Sequence, residues 1–527
     1  MSESSEINMP LPGENYRKTN AKRSVLQNSI AVSAATMLLR TLGFLRELIL
    51  AATYGAGVVT DAFVIAMTAP GIVLAVVNNA VSASFTPQYA SAGKKADEFT
   101  NTILTLLFIS GLAFALTFTI FPQSLVYVFA SRLAPETFDL ATRLLRIMVW
   151  SSIPLLIVGV LRAFLNIKSK FFIALAADAV VNVAIILSIL AGKVSGITVA
   201  IGFGAVIGNI LCVTLLLAIC FKNGFKFRPG VNLRNPQVRS MFYQMAPIII
   251  SVSITEINYI VDKNFASSLV SGTVSSLNYA AKINGVVLSL VGVSIGAALL
   301  PAMSTLAANN GFAELKERLV ACISAMFPLL LPLTVGFALM AKPGVRILLE
   351  RGAFNSNDTI RTAECLQMYA LGILAGNLNV AIVNTFYAMK RTKWPAMMSA
   401  ISVLVGIALN LLLVKPLQHR GLALATSAST TLNMSLMLIA LRKWVGPLGL
   451  RSQLKEFMKI GLATAIMGVF IVIATRFSSL DASTYSRNLL LTIVIVGTAV
   501  ILYCAALLVM KSKFIWNLTS KFLKKTA

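Results

Sequence analysis

Apolar residues run along this chain in long unbroken blocks, separated by short polar stretches rich in lysine and arginine. The blocks lack a period of two, so they predict helices and not strands. Fourteen are discernible, over 28–53, 60–88, 100–130, 138–166, 171–192, 196–221, 238–268, 274–306, 315–341, 357–389, 393–414, 420–441, 452–475 and 488–510. They reach or exceed the ~20 residues that carry a helix across the hydrocarbon core of a bilayer. Inside lipid only helices and closed barrels satisfy every backbone hydrogen bond, and a barrel would show alternating strands. The expected fold class is all-α and integral to the membrane, with fourteen transmembrane helices.

Composition agrees. Of 527 residues 57% are hydrophobic and only 12% charged, where a soluble domain carries about 25% charged residues. The net charge of +26 would suggest nucleic acid in a soluble protein. Here the charges lie between apolar blocks, which makes them topology determinants and headgroup contacts. The five cysteines, Cys212, Cys220, Cys322, Cys365 and Cys504, form no CxxC pair and read as small apolar residues. The single histidine, His419, stands alone in a short polar turn. No metal site, cofactor or enzymatic centre is expected. Residues 1–27 are polar, carry Arg17, Lys18, Lys22 and Arg23, and precede no small-residue cleavage site; they read as a retained cytoplasmic arm.

Lysine and arginine placement orients the bundle. With the amino terminus inside, inner segments hold 28 basic residues and outer segments ten, so both termini are expected in the cytoplasm. The outer stretch 342–356 mixes apolar and basic residues and predicts a short amphipathic helix on the outer surface. A basic linker at 222–237 falls after six helices, and six more precede the next basic loop at 442–459. This predicts two six-helix lobes, 28–221 and 238–441, plus a two-helix appendage, 452–510, and a cytoplasmic tail, 511–527. An internal echo aligns Gly57–Ala66 with Gly272–Ala281, each opening the second helix of its lobe. Repeated halves are a common transporter plan, with the site between them.

Charges inside apolar spans are the candidate functional residues, because each costs about 2.5–3.5 kcal/mol at the bilayer centre unless it faces a cavity or a partner. The first helix carries Arg40, Arg46 and Glu47, and the second opens with Asp61. Guanidinium groups suit a pyrophosphate, offering a fork of donors to its oxygens; the alternative is an ion pair of Arg46 or Arg40 with Asp61 or Glu47. The seventh helix carries Glu256, Asp262 and Lys263, and the eighth Lys282. Lys282 is a second headgroup candidate. Glu256 is a candidate protonation or cation site, while Asp262 and Lys263 read as an ion pair at the outer end. Asp178 and Asn182 lie four apart on one helix face. They, with Asn377, Asn379, Asn384 and Asn410, read as interhelical hydrogen-bonding groups. Arg143 and Arg146 read as snorkelling to the interface, and Trp394 and Trp444 as interface anchors.

From MLLRTLGFLREL and YGAGVVTDAF onward the chain resembles the MurJ (MviN) family of the multidrug/oligosaccharidyl-lipid/polysaccharide exporter superfamily. Further matches are DKNFASSL at 262–269, SSLNYAAKIN at 275–284, LLERGAFNSNDT at 348–359 and NLLLVKPLQHRGLALATS at 410–427. The resemblance implies a transporter of the bacterial inner membrane with a central cationic cavity and a groove for a prenyl tail on the last two helices. Its implied substrate is lipid II, the undecaprenyl-pyrophosphate disaccharide-pentapeptide of peptidoglycan. Arg40, Arg46, Asp61 and Lys282 fall on the family's substrate positions. Asp262, Asn410 and Thr426, with Glu256, are the candidates for a coupling ion. Implied partners are lipid II, membrane lipids and the cell-wall synthesis machinery, with no nucleic acid; a sodium or proton gradient or the membrane potential would supply the energy. Leu74 stands where the family carries an arginine, Asn79-Ala-Val-Ser82 replaces an E-G-A-F stretch, and Ala281 and Lys282 replace an Asp-Arg pair. These departures keep two alternatives in view: a flippase for another polyprenyl-linked saccharide, and a cation-coupled multidrug antiporter.

Overall fold

The computed structural model describes residues 35–288, 303–307, 311–478 and 485–514. The arm expected over 1–27, residues 289–302 of the eighth predicted helix and 515–527 of the tail lie outside the described residues. Every regular element among the described residues is helical. The first half comprises α1 (35–54), α2 (Val58–Ala92), α3 (Ala96–Ile120), α4 (Pro122–Ala130), α5 (Pro135–Met148), α6 (Ser152–Ile167), α7 (Phe171–Ala176), α8 (Asp178–Ser195) and α9 (Ala200–Lys222). Then come α10 (Pro236–Ser267), α11 (Thr273–Val287), α12 (Phe312–Leu339), α13 (Ala341–Leu349), α14 (Ser356–Ala370), α15 (Ile373–Ala388), α16 (Lys393–Val445), α17 (Leu454–Phe477) and α18 (Tyr485–Val509). Among the described residues nine helical stretches are long and apolar enough to cross a membrane, or ten if α14 and α15, bent by 43°, form one span.

Proline marks several of the places where the helices break. The helix expected over 100–130 ends at Ile120 because Phe121 precedes Pro122, and the residue before proline is pushed out of the α region. A 3-10 turn, Val149–Ser151, separates α5 from α6 three residues ahead of Pro154. The stretches expected over 393–414 and 420–441 run together in α16 but kink at Gln418, whose φ is 50°, two residues after Pro416. Glu364 braces that kink: His419 Nε2 lies 2.7 Å from its Oε2, and Arg420 pairs with its other oxygen. In α12 Pro332 has no N–H to offer the carbonyl of Pro328. The hydroxyl of Tyr503 from α18 donates to that oxygen instead, at 2.6 Å. The short helix expected within 342–356 is α13.

By packing, the chain forms two compact units that interleave in sequence. The first takes residues 1–46, 73–120 and 147–249, and the second 47–72, 121–146 and 250–527. The core of the first is built from α2, α3, α6 and α9, with Leu74, Phe85, Phe99, Phe164 and Leu216 all buried. Phe85 and Phe99 stack at 5.4 Å between ring centroids. The second unit holds one core around α12, α15 and the carboxy-terminal half of α16. Another lies where Met340 meets Ile460, Met467 and Ile471 of α17 and Ile495, Tyr503 and Leu507 of α18. Trp394 and Trp444 meet edge to face at 6.0 Å, and the Arg391 guanidinium lies 3.4 Å over the Trp444 ring.

Candidate functional site

Within the second unit, Asp61 does what no local motif announces. It lies near the start of α2, 2% exposed, and its carboxylate caps a different helix 211 residues away. Oδ2 accepts from the backbone N–H of Gly272 at 2.6 Å, and Oδ1 from that of Ser275 at 2.7 Å. The first turn of a helix leaves its N–H groups unpaired and carries partial positive charge, so a carboxylate there is well matched. Sequence reading offered an arginine as the partner of Asp61; the amides of α11 take that place.

Around this cap a knot closes. Arg361 of α14 donates from Nη1 to the carbonyl of Ser271 at 2.7 Å and from Nη2 to Asp358 Oδ1 at 3.1 Å. Asp358 Oδ2 accepts the N–H groups of Ala56 and Asn355, each at 3.3 Å. The N–H of Ala353 donates to the carbonyl of Ala52 at 2.9 Å. Two glycines make the approach possible. Gly272 has φ +90°, and a Cβ there would lie 2.3 Å from Ala56 O; Gly352 has φ +61°, and a Cβ would lie 2.1 Å from Ala52 O. Gly352→Ala is expected to lower the thermal midpoint of the purified protein by several degrees. Left-handed strain of about 1–3 kcal/mol adds to a clash with backbone that cannot move aside. An unchanged midpoint would show the knot to be dispensable for stability. A second tie joins the end of α4 to the end of α10: Ser131 Oγ donates to Asn264 Oδ1 at 3.2 Å, and Asn264 Nδ2 to the carbonyl of Val128 at 3.3 Å.

The basic candidates differ in setting. Arg46, in the first unit, is 8% exposed and donates from Nη1 to Asn182 Oδ1 at 3.3 Å. Arg40, two turns earlier on α1, is exposed. In the second unit Lys282 is exposed on α11, and Glu47 is buried, accepting from Asn278 Nδ2 at 3.4 Å. Leu74, where the resemblance implies arginine, is 3% exposed within the apolar core of the first unit.

Of the coupling-ion candidates, Asp262 and Asn410 meet, while Glu256 and Thr426 do not join them by any hydrogen bond. Asn410 Nδ2 donates to Asp262 Oδ1 at 2.6 Å and Asn258 Nδ2 to Oδ2 at 3.4 Å. The amide oxygen of Asn410 is buried with no hydrogen-bond partner. Thr426 turns its hydroxyl to the carbonyl of Leu422 on its own helix. No ion pair joins Asp262 to Lys263 among the described residues; the carboxylate faces amides instead. A half-buried carboxylate beside an unsatisfied amide oxygen fits a small hard cation, which prefers oxygen ligands. Among the described residues no group of three or more His, Cys, Asp or Glu side chains could hold a metal ion.

Sequence reading missed Asp358, Arg361 and the two close-approach glycines. LLERGAFNSNDT was visible as a motif, yet its chemistry depends on meeting 52–56 and 271–275, far away in sequence. It also passed over Arg162, which pairs with Asp178.

A helical bundle with buried charges on interior faces is the signature of a multi-pass membrane transporter. A solved multidrug resistance MATE family transporter of the MOP superfamily shares the fold, with TM-score 0.65 at 13% identity over 78% of this chain and 94% of its own. The family model described as lipid II flippase MurJ matches residues 50–497, and the chain belongs to that family. It is 27% identical to the probable lipid II flippase MurJ of Rickettsia prowazekii, over 91% of this chain and 96% of the relative. The counterpart from Rhizobium tropici is 29% identical, over 85% and 87%. The solved inward closed conformation of lipid II flippase MurJ gives TM-score 0.79 at 25% identity, covering 92% of this chain and all of that one.

Proposed function

We propose that this protein is a lipid II flippase of the bacterial inner membrane. It moves the undecaprenyl-pyrophosphate-linked peptidoglycan precursor from the cytoplasmic to the outer leaflet by alternating access. Beyond family membership, Arg46 carries the reading: a guanidinium buried inside an apolar bundle offers a fork of donors to phosphate oxygens. Arg40, exposed on the same helix, and Lys282 on α11 are the further headgroup contacts. Asp61 is the positioning residue, and its knot shuts one end of the pathway.

Fourteen transmembrane helices are proposed, with both termini cytoplasmic. The 63-residue stretch Val58–Ile120 would be about 95 Å long as one helix, three times the ~30 Å hydrocarbon core. A turn at Gly93–Lys95 divides it, and the kink at Gln418 divides α16; both divisions support two passes each. The basic-residue imbalance supports the orientation, and the Asp61 knot then faces outward. In this frame the lobes are 28–221 and 238–441, and the knot and the Asn264 tie fasten outer ends of one to the other. Such fastening is what rocking lobes must release.

The tail groove is proposed on the appendage 452–510. A cavity of about 450 Å³ lies between α12 and α17, lined by Val335, Leu339, Gly461, Thr464, Gly468 and Val472 among others. A Cβ at Gly461 would meet nothing within 4 Å. Gly461→Leu is therefore expected to fill the groove without clash, cutting transport several-fold at unchanged thermal stability. Wild-type transport by that variant would remove the groove from the pathway.

Asp262 and Asn410 are proposed to bind the coupling cation, sodium or a proton. Asp262→Asn is expected to remove any sodium-induced rise in thermal midpoint. A midpoint rise equal to wild type would place the ion elsewhere. The membrane potential could add about 2.3 kcal/mol per charge per 100 mV to outward movement of an anionic headgroup.

Complementation tests the whole reading. Bacteria depleted of their own lipid II flippase are expected to grow on this gene and to expose lipid II on the outer face. Leu74 favours one other reading, transport of a different polyprenyl-linked saccharide, because the first unit buries leucine where the family resemblance implies a cation. Failure to rescue by protein confirmed in the membrane would select that reading.

A further inference from the structure

A row of polar groups inside the first unit is not explained by packing alone. Arg162 of α6 pairs through Nη2 with Asp178 Oδ1 of α8, and its Nε donates to the carbonyl of Ala174 at 3.1 Å. The thiol of Cys212, on α9, donates to the same Asp178 oxygen at 3.6 Å. One turn further along α8, Asn182 accepts from Arg46 and donates from Nδ2 to the carbonyl of Asp178 at 3.4 Å. Two guanidinium groups thus attach to one face of α8, four residues or about 6 Å apart.

The two ends differ in accessibility. Arg46 is 8% exposed, whereas the side chains of Arg162 and Asp178 are 27% and 35% exposed. Arg162 Nη1 makes no hydrogen bond among the described residues. An ion pair chosen for stability alone would be closed off and fully used, because partly solvated pairs contribute little. In the proposed orientation Arg162 lies five residues, or about 8 Å, from the cytoplasmic end of α6, and Arg46 lies deeper.

We propose that Arg162 is the entry-side phosphate contact of the transport pathway, held ready by Asp178, so that Arg162 and Arg46 together receive the two phosphates of a polyprenyl pyrophosphate. The anion replaces Asp178 as the acceptor for the Arg162 fork, while the Ala174 carbonyl keeps the side chain in place. The row then discriminates a diphosphate, which spans both guanidinium groups, from a monophosphate, which engages one. This rests on the flippase reading for direction and substrate class. The residues themselves are defined by the geometry of the first unit.

The test uses the full-length protein in lipid nanodiscs, with undecaprenyl pyrophosphate, undecaprenyl monophosphate and lipid II as probes in separate titrations. Arg162→Gln is expected to weaken undecaprenyl pyrophosphate binding about tenfold or more, the scale of one charged hydrogen-bonding contact, and to change monophosphate binding less than threefold. Arg162→Lys keeps the charge without the fork and falls between. Asp178→Asn, which frees the arginine, is expected to bind pyrophosphate at least as tightly as wild type. Wild-type affinity in Arg162→Gln overturns the proposal. So does a result in which Arg162→Gln and Asp178→Asn lose binding and thermal stability together while the apolar pair Arg162→Met with Asp178→Leu restores both. If wild type binds undecaprenyl pyrophosphate but not lipid II, the lipid II reading fails while the Arg162 comparison stands.

Discussion

Asp61→Ala is expected to abolish transport and to leave the knot at the start of α11 open. The carboxylate makes two short bonds to backbone N–H groups, at 2.6 and 2.7 Å, in a position 2% exposed. A hydrogen bond to a charged group contributes about 1.5–3 kcal/mol. Losing both therefore weakens the fastened state by about 3–6 kcal/mol, a population shift of a hundredfold or more. The freed N–H groups of Gly272 and Ser275 would draw in water. Asp61→Asn retains one acceptor oxygen and is expected to keep part of the closure. The check is a cysteine at Ser271 in a background without the five native cysteines, probed in whole cells with a membrane-impermeant maleimide. Labelling should be slow with Asp61 present and fast in Asp61→Ala. Equal labelling in both, with transport intact, would falsify the role of Asp61 in closing the pathway.

Arg46→Ala is expected to abolish rescue of flippase-depleted bacteria while the protein remains in the membrane at wild-type abundance. Removing the guanidinium loses one charged contact to phosphate, about ten- to a hundredfold in affinity. Arg46→Lys keeps the charge but not the bidentate fork and is expected to rescue weakly. The decisive comparison is between membrane abundance and lipid II exposed on the outer face. Disappearance of the protein from the membrane along with rescue would make Arg46 a structural residue.

The contrast between these two residues reflects what kinds of information a chain carries. Residue order by itself determined the class of protein. Apolar blocks long enough to cross a bilayer, basic residues in the intervals and charges stranded inside the blocks all follow from transfer energetics that act on each segment independently. Those same energetics singled out Arg46, Asp61 and Asp262, because an ionisable group inside an apolar helix is conspicuous without any knowledge of its neighbours.

What those charges touch was decided only by tertiary structure. Asp61 meets the N–H groups of Gly272 and Ser275 across 211 and 214 residues, and Asp358 meets Ala56 across 302. Arg361 was legible only as one more basic residue in an outer segment. Arg162 was visible only as a charge inside the block 138–166, because its meaning comes from Asp178 on the next long helix. Hydrophobicity is additive along a segment and can be summed from sequence. Pairing of buried polar groups depends on which helix faces are brought together, and a pattern with period 3.6 records that a face is polar without recording which partner it meets.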